Sequence, residues 1–394
     1  MEHLTAILAG LADRAAQLSG EVPPGETRPL PLSLYTSPDI HALERERIFA
    51  REWVCVGLAA EIPDPGNYVT FSINDQPIFT VRSSDGAIRS FSNVCRHRMM
   101  VLLEGRGTCR RVVCPYHAWT YNLDGALIGA PHMDKTAGFD KASFGLPEIR
   151  TEIWHGWIYV TLDADAAPVA ERLAPLAGIV DRYGMARYVP VAHQDHVWNT
   201  NWKLLCENFM ESYHLPVAHR GTLGTWLPME DIGFPDAPHE AFTYQTFPKR
   251  EDARYGRAHP DNKALEGHWR YTSVMPTVYP AHMYVLAPDH LWYLSLRPHG
   301  VDHVHVRFGV ALAPEVHAAL DDPEASVGEL VQFFDDVNAE DRLVVEGIYR
   351  GVQAPLAAAG PMSWLEREIR DFSGYLAQRL SGPRAGGHAA QPGD

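Results

Sequence analysis

Short runs of apolar residues, some of them alternating with polar residues, dominate the chain between about Val54 and Leu162. The runs NYVTFSI, PIFTVRS, IRSFSNV and GWIYVTL are rich in β-branched and aromatic residues. Turn pairs such as Asp85-Gly86 and Asp124-Gly125 lie between them, and such pairs between strand-like runs indicate β-hairpins. The pattern predicts an all-β module of about domain size.

Apolar residues at helical spacing occur before and after this module in the chain. The first twenty residues carry apolar side chains at helical spacing, and SPDIHALERERIFAREW predicts a second helix capped by Ser37, with Pro38 at its start. Later helices are predicted around Trp202–Tyr213 and Ser326–Tyr349, with the strands HMYVLA, LWYLSL and HVHVRFGV between them. The small, polar tail SGPRAGGHAAQPGD is predicted to be disordered.

These elements predict an α+β chain with four parts. Residues 1–44 form N-terminal helices and a Pro-rich linker, and residues 45–165 form the all-β domain. Residues 166–381 form a mixed domain with an antiparallel sheet, and residues 382–394 form the tail. A chain of 394 residues is long enough for two or more domains.

Composition narrows the range of partners. The net charge of −15, with 49 acidic and 34 basic residues, argues against general nucleic-acid binding. No apolar run is long enough to span a bilayer, and the first twenty residues lack the features of a signal peptide. Five cysteines in 394 residues do not make a disulfide scaffold, so a reducing, cytoplasmic compartment is expected.

The densest candidate chemistry lies between Cys95 and His117. Cys95-x-His97 is followed, after sixteen residues, by Cys114-x-x-His117. Two thiolates and two imidazoles suit tetrahedral zinc or an iron–sulfur cluster. Each pair follows a β-run and sits in a turn, whereas zinc fingers place their histidines on one helix. The spacing is typical of a Rieske cluster, in which two Cys hold one iron and two His hold the other.

The sequence around these ligands, NVCRHR and CPYHAWTYNLDG, resembles the Rieske domain of ring-hydroxylating-type oxygenases. Rieske proteins of respiratory complexes carry an extra disulfide, and Met100 and Tyr116 occupy the positions where its cysteines are expected. The resemblance is therefore to the low-potential oxygenase type. Ala118 departs from the Gly that the family usually has before Trp119. Cys109 has no paired histidine and is interpreted as a bystander thiol.

A second candidate centre lies in NWKLLCENFMESYHLPVAH. On a helix over Trp202–Tyr213, Glu207, Glu211 and His214 would share one stripe. Pro216 is expected to break that helix, so that the chain turns and returns His219 toward His214. Two imidazoles suggest the 2-His-1-carboxylate site of non-haem Fe(II) oxygenases.

The carboxylate of that site is expected from the helix near the C-terminus. Four acids compete there: Asp335, Asp336, Glu340 and Asp341. Only Asp341 falls on the apolar face, where a metal would relieve the cost of a buried charge. A core carboxylate paired with an arginine is the alternative for Asp341, and two satisfied core histidines are the alternative for His214 and His219.

The run Asn201-Trp202-Lys203, Glu207-Asn208, Glu211-x-Tyr213-His214 and His219 resembles the catalytic domain of Rieske oxygenase α subunits. The resemblance implies a helix-grip-like catalytic domain and a head-to-tail homotrimer. It also implies that Glu211, with Asn208, belongs to the catalytic set, Glu211 bridging a Rieske histidine of one subunit and an iron-ligand histidine of the next. The family usually has Asp there, and a similar Glu occurs in oxygenases of quaternary ammonium compounds such as carnitine.

The resemblance implies a terminal oxygenase that uses O₂ at Fe(II). A separate flavin and iron–sulfur reductase, or a ferredoxin, would bring electrons from NAD(P)H to a Rieske [2Fe–2S] cluster. The first hypothesis is hydroxylation or N-demethylation of a small quaternary ammonium substrate such as a betaine or carnitine. The alternative is an aromatic-ring hydroxylase or O-demethylase, and an electron-transfer protein without catalysis is a third possibility. Aromatic residues expected around the substrate are Phe209, Trp226, Tyr271, Tyr284 and Trp292.

Overall fold

The computed structural model describes residues 28–223, 229–249 and 255–381, together with Ile7, Gly10 and Leu11. Antiparallel sheets and helices occupy different stretches of the chain, so the fold is α+β, as predicted. The first predicted helix lies mostly outside the described residues, and the predicted tail 382–394 lies wholly outside them.

Ten strands precede the mixed half of the chain. A seven-stranded sheet has the order β1-β10-β9-β4-β3-β2-β5, and a small three-stranded sheet has the order β6-β7-β8. Their bounds are β1 Val54–Leu58, β2 Asn67–Ile73, β3 Gln76–Arg82, β4 Ile88–Ser92, β5 Arg106–Thr108, β6 Val112–Val113, β7 Thr120–Tyr121, β8 Leu127–Gly129, β9 Glu148–Trp154 and β10 Trp157–Thr161.

The predicted hairpins of this half are confirmed. Asp85-Gly86 connects β3 to β4, and Asp124-Gly125 connects β7 to β8. Gly86 and Gly125 both have positive φ, at 86° and 82°, which glycine adopts without steric cost. At Gly125 a side chain would also meet the ring of Phe91, since a Cβ there would lie 2.5 Å from Phe91 Cε1.

Six longer strands form the second sheet, in the order β11-β16-β15-β14-β13-β12, and all its neighbours are antiparallel. The predicted strands HMYVLA, LWYLSL and HVHVRFGV lie in β14, β15 and β16 and are confirmed. The bounds are β11 Val189–Trp198, β12 Phe242–Pro248, β13 Thr272–Val278, β14 His282–Leu286, β15 His290–Pro298 and β16 Val304–Leu312.

Helices flank both sheets. Ser37 caps the second helix of the described chain through a hydrogen bond from the backbone N–H of Ile40, as predicted, and the helix continues as a π-helical turn over Arg45–Phe49. The bounds are α1 Ser33–Thr36, α2 Pro38–Glu44, α3 Val169–Arg172, α4 Ala174–Val180, α5 Trp202–Met210, α6 Leu215–Ala218, α7 Pro314–Ala318, α8 Pro323–Val352 and α9 Arg367–Ser381.

Helix α5 is fixed to α2 by a buried ion pair. The Lys203 ammonium binds Glu44, and the indole N–H of Trp202 donates to the other Glu44 oxygen at 2.8 Å. Both charged side chains are fully buried. Burial opposes ionisation of Glu44, but the Lys203 charge and three hydrogen bonds outweigh it and lower the pKa of that carboxyl. The pair sets the position of the helix that leads into the second candidate centre.

The predicted helix over Trp202–Tyr213 is shorter than expected. Helix α5 ends at Met210, and Glu211 has extended backbone (φ −112°, ψ 160°). The expectation that Glu207, Glu211 and His214 share one helical stripe is therefore wrong. Pro216 does not break a continuous helix either, since it lies in the first turn of the separate helix α6, where its missing N–H costs nothing.

Within the described ranges, no helix combines the length and apolar character that a membrane span requires.

Candidate metal centres

Two loops of the first half share one backbone design. The amide of Cys95 donates to Met100 O, and the amide of Met99 donates to Cys95 O. The amide of Cys114 donates to Trp119 O, and that of Ala118 donates to Cys114 O, which repeats the pattern. The fourth residue after each cysteine has positive φ, at 52° for Met99 and 56° for Ala118. Ala118 thus occupies a conformation that favours glycine, the residue the family usually has there.

The side chains of these loops supply four candidate cluster ligands. Cys95 and Cys114 are buried free thiols, and burial raises the pKa of Cys114. The rings of His97 and His117 lie at the exposed side, with centroids 4.7 Å apart. Trp119 stacks on His97 at 4.9 Å and 9°. Two buried thiols under two surface imidazoles fit a [2Fe–2S] cluster of the Rieske type.

One unsatisfied atom supports that fit. His97 Nδ1 is buried without a hydrogen-bond partner, which is costly for a ring nitrogen unless it binds a metal. Tyr121 holds the other side of the site: its hydroxyl lies 3.4 Å from Cys95 Sγ and accepts from the Arg96 amide at 3.0 Å. Cys109 pairs its amide with Gly66 O instead, and burial raises the pKa of its thiol.

The second centre forms where α5, α6 and α8 meet. The break after Met210 and the short helix α6 return His219 to His214, and their Nε2 atoms lie 3.2 Å apart. Asp341 Oδ1 from α8 lies 3.1 Å from Nε2 of His219 and 3.6 Å from Nε2 of His214. The three predicted residues can offer one ligand atom each within 4.8 Å of one another.

The hydrogen bonds around this set favour a cation. His214 Nδ1 binds Glu211, and His219 Nδ1 binds Glu340 Oε2 at 2.8 Å. An ionised carboxylate only accepts, so each Nδ1 carries the hydrogen, and each Nε2, once deprotonated for a metal, presents its lone pair beside Asp341. Asp341 Oδ1 is buried without a hydrogen-bond donor. Three lone pairs that converge in this way fit a divalent iron held by two His and one carboxylate.

The electrostatics of the site agree with its chemistry. Burial lowers the pKa of His219, but the charges of Asp341 and Glu340 and the hydrogen bond to Glu340 outweigh burial, so that its pKa is raised. Three carboxylates, from Glu211, Glu340 and Asp341, surround the two rings. The site therefore stabilises positive charge.

Glu340 is one residue that the sequence interpretation missed. It was assigned to the polar side of α8, yet its Oε2 accepts from His219 Nδ1 and from Thr222 Oγ1 at 2.6 Å. A carboxylate behind a ligand histidine fixes the tautomer and orientation of the ring. Its position directly before Asp341 in the chain is the only sequence signal for it.

A cavity of about 100 Å³ opens beside the three converging groups. Phe209 and Trp292, two of the expected pocket residues, line it, with ring centroids 5.3 Å apart. Its other ring-bearing and polar neighbours are Glu211, Phe247, Lys249, Tyr255, Ser273, His290, Phe333 and Phe334. The aromatic character matches the expectation, although several of the residues differ.

Two other expected pocket residues lie elsewhere. Tyr284 is fully buried on the opposite face of the sheet, stacked on His282 and 5.2 Å from Trp157. Tyr271 precedes β13 beside Arg257 and does not line the cavity. Trp226 lies outside the described residues.

A second depression of about 420 Å³ lies next to the site. Asn208, Glu211 and His214 line it, together with apolar residues of α1, α5, α8 and the 357–369 segment. Glu211 accepts from the His214 amide at 3.2 Å and from the Tyr213 amide, which holds the carboxylate between this depression and the His214 ring.

Comparison with known proteins places the two centres in two domains. A family model for the Rieske [2Fe-2S] domain matches residues 52–143, and one for the ring-hydroxylating α subunit (catalytic domain) matches residues 185–382. These two domains define a protein with a Rieske [2Fe–2S] cluster and a mononuclear iron. The chain belongs to the ring-hydroxylating oxygenase α-subunit family.

Two named relatives agree with this family. The glycine betaine monooxygenase oxygenase subunit of Chromohalobacter salexigens is 35% identical over 255 residues, which cover 64% of this chain and 55% of the relative. The carnitine monooxygenase oxygenase subunit of Escherichia coli K12 is 30% identical over 270 residues, 65% of this chain and 69% of the relative.

The chain spans about half the length of the first curated relatives that it matches. A crystal structure of the quaternary ammonium Rieske monooxygenase CntA has a TM-score of 0.80 at 24% identity, covering 93% of this chain and 98% of that one. At this identity the likeness shows a shared fold.

Proposed function

We propose that the chain is the terminal oxygenase component of a Rieske non-haem iron oxygenase system. Its substrate would be a small quaternary ammonium compound, which it hydroxylates or N-demethylates. The observation that carries the proposal is the aromatic cavity directly beside the convergent groups of His214, His219 and Asp341. The relatives that are named for glycine betaine and carnitine support the same substrate class.

The proposed ligands follow from the two donor sets. Cys95 and Cys114 would hold one iron of the cluster, and His97 and His117 the other. His214, His219 and Asp341 would hold the mononuclear iron. When bound, the cluster supplies electrons and the mononuclear iron supplies O₂ activation.

The cavity walls suit a methylated ammonium group. Trp292 packs between Phe209 and Phe334, with ring centroids 5.3 and 5.4 Å away. A cation over aromatic faces in a desolvated site gains about 2 kcal/mol or more. The walls also exclude water from the reacting group and hold it close to the two histidines. An aromatic ring could stack on the same residues, which is why benzoates belong in the test below.

Glu211 is proposed to bridge two subunits of a homotrimer. None of the four cluster ligands lines the aromatic cavity or the second depression of the described chain, which supports electron entry from another copy. The tip of the cluster loops exposes apolar side chains, with Met99 75% and Tyr116 52% accessible. A neighbour's tip would seat in the second depression and bring its histidine to Glu211 and Asn208.

The electrons are proposed to come from NAD(P)H through a separate flavin and iron–sulfur reductase or a ferredoxin. The chain shows no convincing dinucleotide fingerprint and no plant-type ferredoxin cysteine set. Its five free cysteines support a reducing, cytoplasmic compartment.

Oxygen consumption with a suitable reductase tests the function. Betaines and carnitine are expected to stimulate uptake, and benzoates are not. Stimulation by benzoates alone would favour the aromatic-ring alternative. Iron analysis separates the oxygenase from a simple electron carrier, since the oxygenase needs about three irons per chain and the carrier about two.

Replacing Glu211 tests the bridge. In Glu211→Gln, cluster absorbance should stay intact and turnover should fall greatly, because the neutral amide no longer accepts from both histidines. The exposed Glu324→Gln on α8 is the matched control and should keep its turnover. Unchanged turnover in Glu211→Gln would refute the bridge.

A further inference from the structure

Lys249 brings a positive charge to the wall of the aromatic cavity. It directly follows β12, and its ammonium lies 5.8 Å from the centroid of the Phe247 ring. Within the described residues, no carboxylate oxygen lies within 4.0 Å of the Lys249 ammonium, and no acceptor takes a hydrogen bond from it. A cation in an apolar cavity is costly unless a partner compensates it.

Asp289, the acid whose charge acts on Lys249, is already engaged. Asp289 Oδ1 lies 2.7 Å from His290 Nδ1, and Asp289 Oδ2 accepts from the Gly256 amide at 2.8 Å. Burial lowers the pKa of Lys249 to about 8, and the charge of Asp289 offsets only part of that effect. Among the described residues, Lys249 therefore keeps an ammonium here without a salt bridge of its own.

The Lys249 charge lies at a distance from the metal site that a small substrate can span. On α8, Phe334 packs against His290 with centroids 5.5 Å apart, while Asp341 belongs to the metal site. These two residues are seven positions apart, which is roughly 10 Å along a helix. The cavity thus has a metal end and, about one small molecule away, an end with His290, which Lys249 adjoins through Gly256 and Asp289.

We propose that Lys249 binds the carboxylate of a zwitterionic substrate whose methylated ammonium group lies against the aromatic walls near His214 and His219. The inference rests on the proposed function and narrows its substrate class. It favours betaines and carnitine over choline, which has no carboxylate. Choline would also bring a second positive charge into the cavity without a carboxylate of its own to bind Lys249.

The experiment measures binding rather than turnover. The full chain, loaded with cluster and iron, is titrated calorimetrically with glycine betaine, carnitine, choline and benzoate at constant ionic strength. The variants are Lys249→Met, which keeps an unbranched chain of similar length, and Lys249→Arg, which keeps the charge. Lys263→Met, at an exposed position, is the matched control.

Betaine or carnitine should bind the wild type and lose roughly tenfold or more in affinity in Lys249→Met, because the carboxylate loses a half-buried ionic partner. Lys249→Arg should restore part of that affinity, Lys263→Met should bind like the wild type, and choline should bind the wild type weakly. Betaine affinity unchanged in Lys249→Met would overturn the proposal.

If Lys249→Met does not fold, the ligand preference of the wild type alone tests whether Lys249 binds a substrate carboxylate. Choline that binds the wild type as tightly as betaine does would overturn the role of Lys249 and leave the quaternary ammonium function standing. Binding of benzoate with no binding of any methylated ammonium compound would instead overturn the proposed function, and this inference with it.

Discussion

Replacing Glu340 by glutamine tests how the site holds its iron. The carboxylate accepts from His219 Nδ1 at 2.8 Å and from Thr222 Oγ1 at 2.6 Å. The amide keeps the size of the side chain but removes the charge and one of the two acceptor oxygens. His219 would then be less basic and less firmly oriented toward the metal.

The size of the effect follows from these contacts. A hydrogen bond to a charged group contributes about 1.5–3 kcal/mol and a neutral one about 0.5–1.5 kcal/mol, so the loss is about 1–1.5 kcal/mol. This corresponds to roughly tenfold in iron affinity, at the lower end of the 10- to 100-fold range typical of carboxylates behind metal-bound histidines. The Glu340 side chain is 26% exposed, and solvent screening favours that lower end.

The assay is equilibrium dialysis against graded Fe(II), with iron counted per chain and the cluster followed by its absorbance. The mononuclear iron should be lost at higher free Fe(II) than in the wild type, while the cluster in the other domain stays intact. Asp336→Asn, an exposed carboxylate-to-amide change on the same helix, should behave as the wild type. Equal iron affinity in Glu340→Gln, or parallel loss of the cluster, would refute the reasoning.

Three further outcomes are expected. Cys109→Ala should keep the cluster absorbance, and Cys114→Ala should abolish it; loss of absorbance in both would make Cys109 a ligand. Burial raises the pKa of Asp371 to about 6, so the folded state binds the proton more tightly and stability falls as pH rises from about 4 to 6. Asp371→Asn should therefore gain about 1–3 kcal/mol over the wild type in urea unfolding at pH 8, with little gain at pH 4, and an equal gain at both would contradict the burial argument. Ala118→Gly should raise the free energy of unfolding by up to about 1 kcal/mol and so raise the melting temperature slightly, because φ is 56° at Ala118. A lower melting temperature would show that the conformation is not strained.

Local spacing predicted the neighbourhoods of both centres well. The apolar periodicity of α8 singles out Asp341 among four acids, and the structure does bring Asp341 to His214 and His219. The paired Cys and His positions of the first half lie in two turns of the same design, as their spacing suggests. In each case the relevant geometry spans a few residues of one helix or turn, which sequence periodicity captures.

The cavity was harder to predict because strand pairing decides its walls. Directly paired residues of antiparallel strands share a face, and neighbours along a strand point to opposite faces. Tyr284 pairs with Tyr293 and Val285 with Trp292, so Tyr284 and Trp292 point to opposite sides of the sheet. Nothing in the two runs fixes that register, and both aromatic residues had been expected in one pocket.

Glu340 and Lys249 were missed for a related reason. Glu340 lies about 100° from Asp341 around α8, which places it on the polar side by periodicity. The ring of His219 is wide enough to contact both, with Nε2 toward Asp341 and Nδ1 toward Glu340. Lys249 follows a strand whose inward face shows only in the folded sheet. When a residue's contacts depend on the size of a neighbouring side chain or on the fold of the sheet, its own position in the periodic pattern does not predict them.

The early end of α5 determines which residue connects the two cavities. A helix continued through Tyr213 would have kept Glu211 in the regular hydrogen-bond ladder of that turn. Extended backbone at Glu211 instead lets its carboxylate accept from the amides of Tyr213 and His214 and from the His214 ring. His214 lines both cavities, and its ring connects Glu211 at Nδ1 with the metal site at Nε2. Under the proposed function, one imidazole would therefore join the electron-entry side to the substrate side, and the break after Met210 is what permits this arrangement.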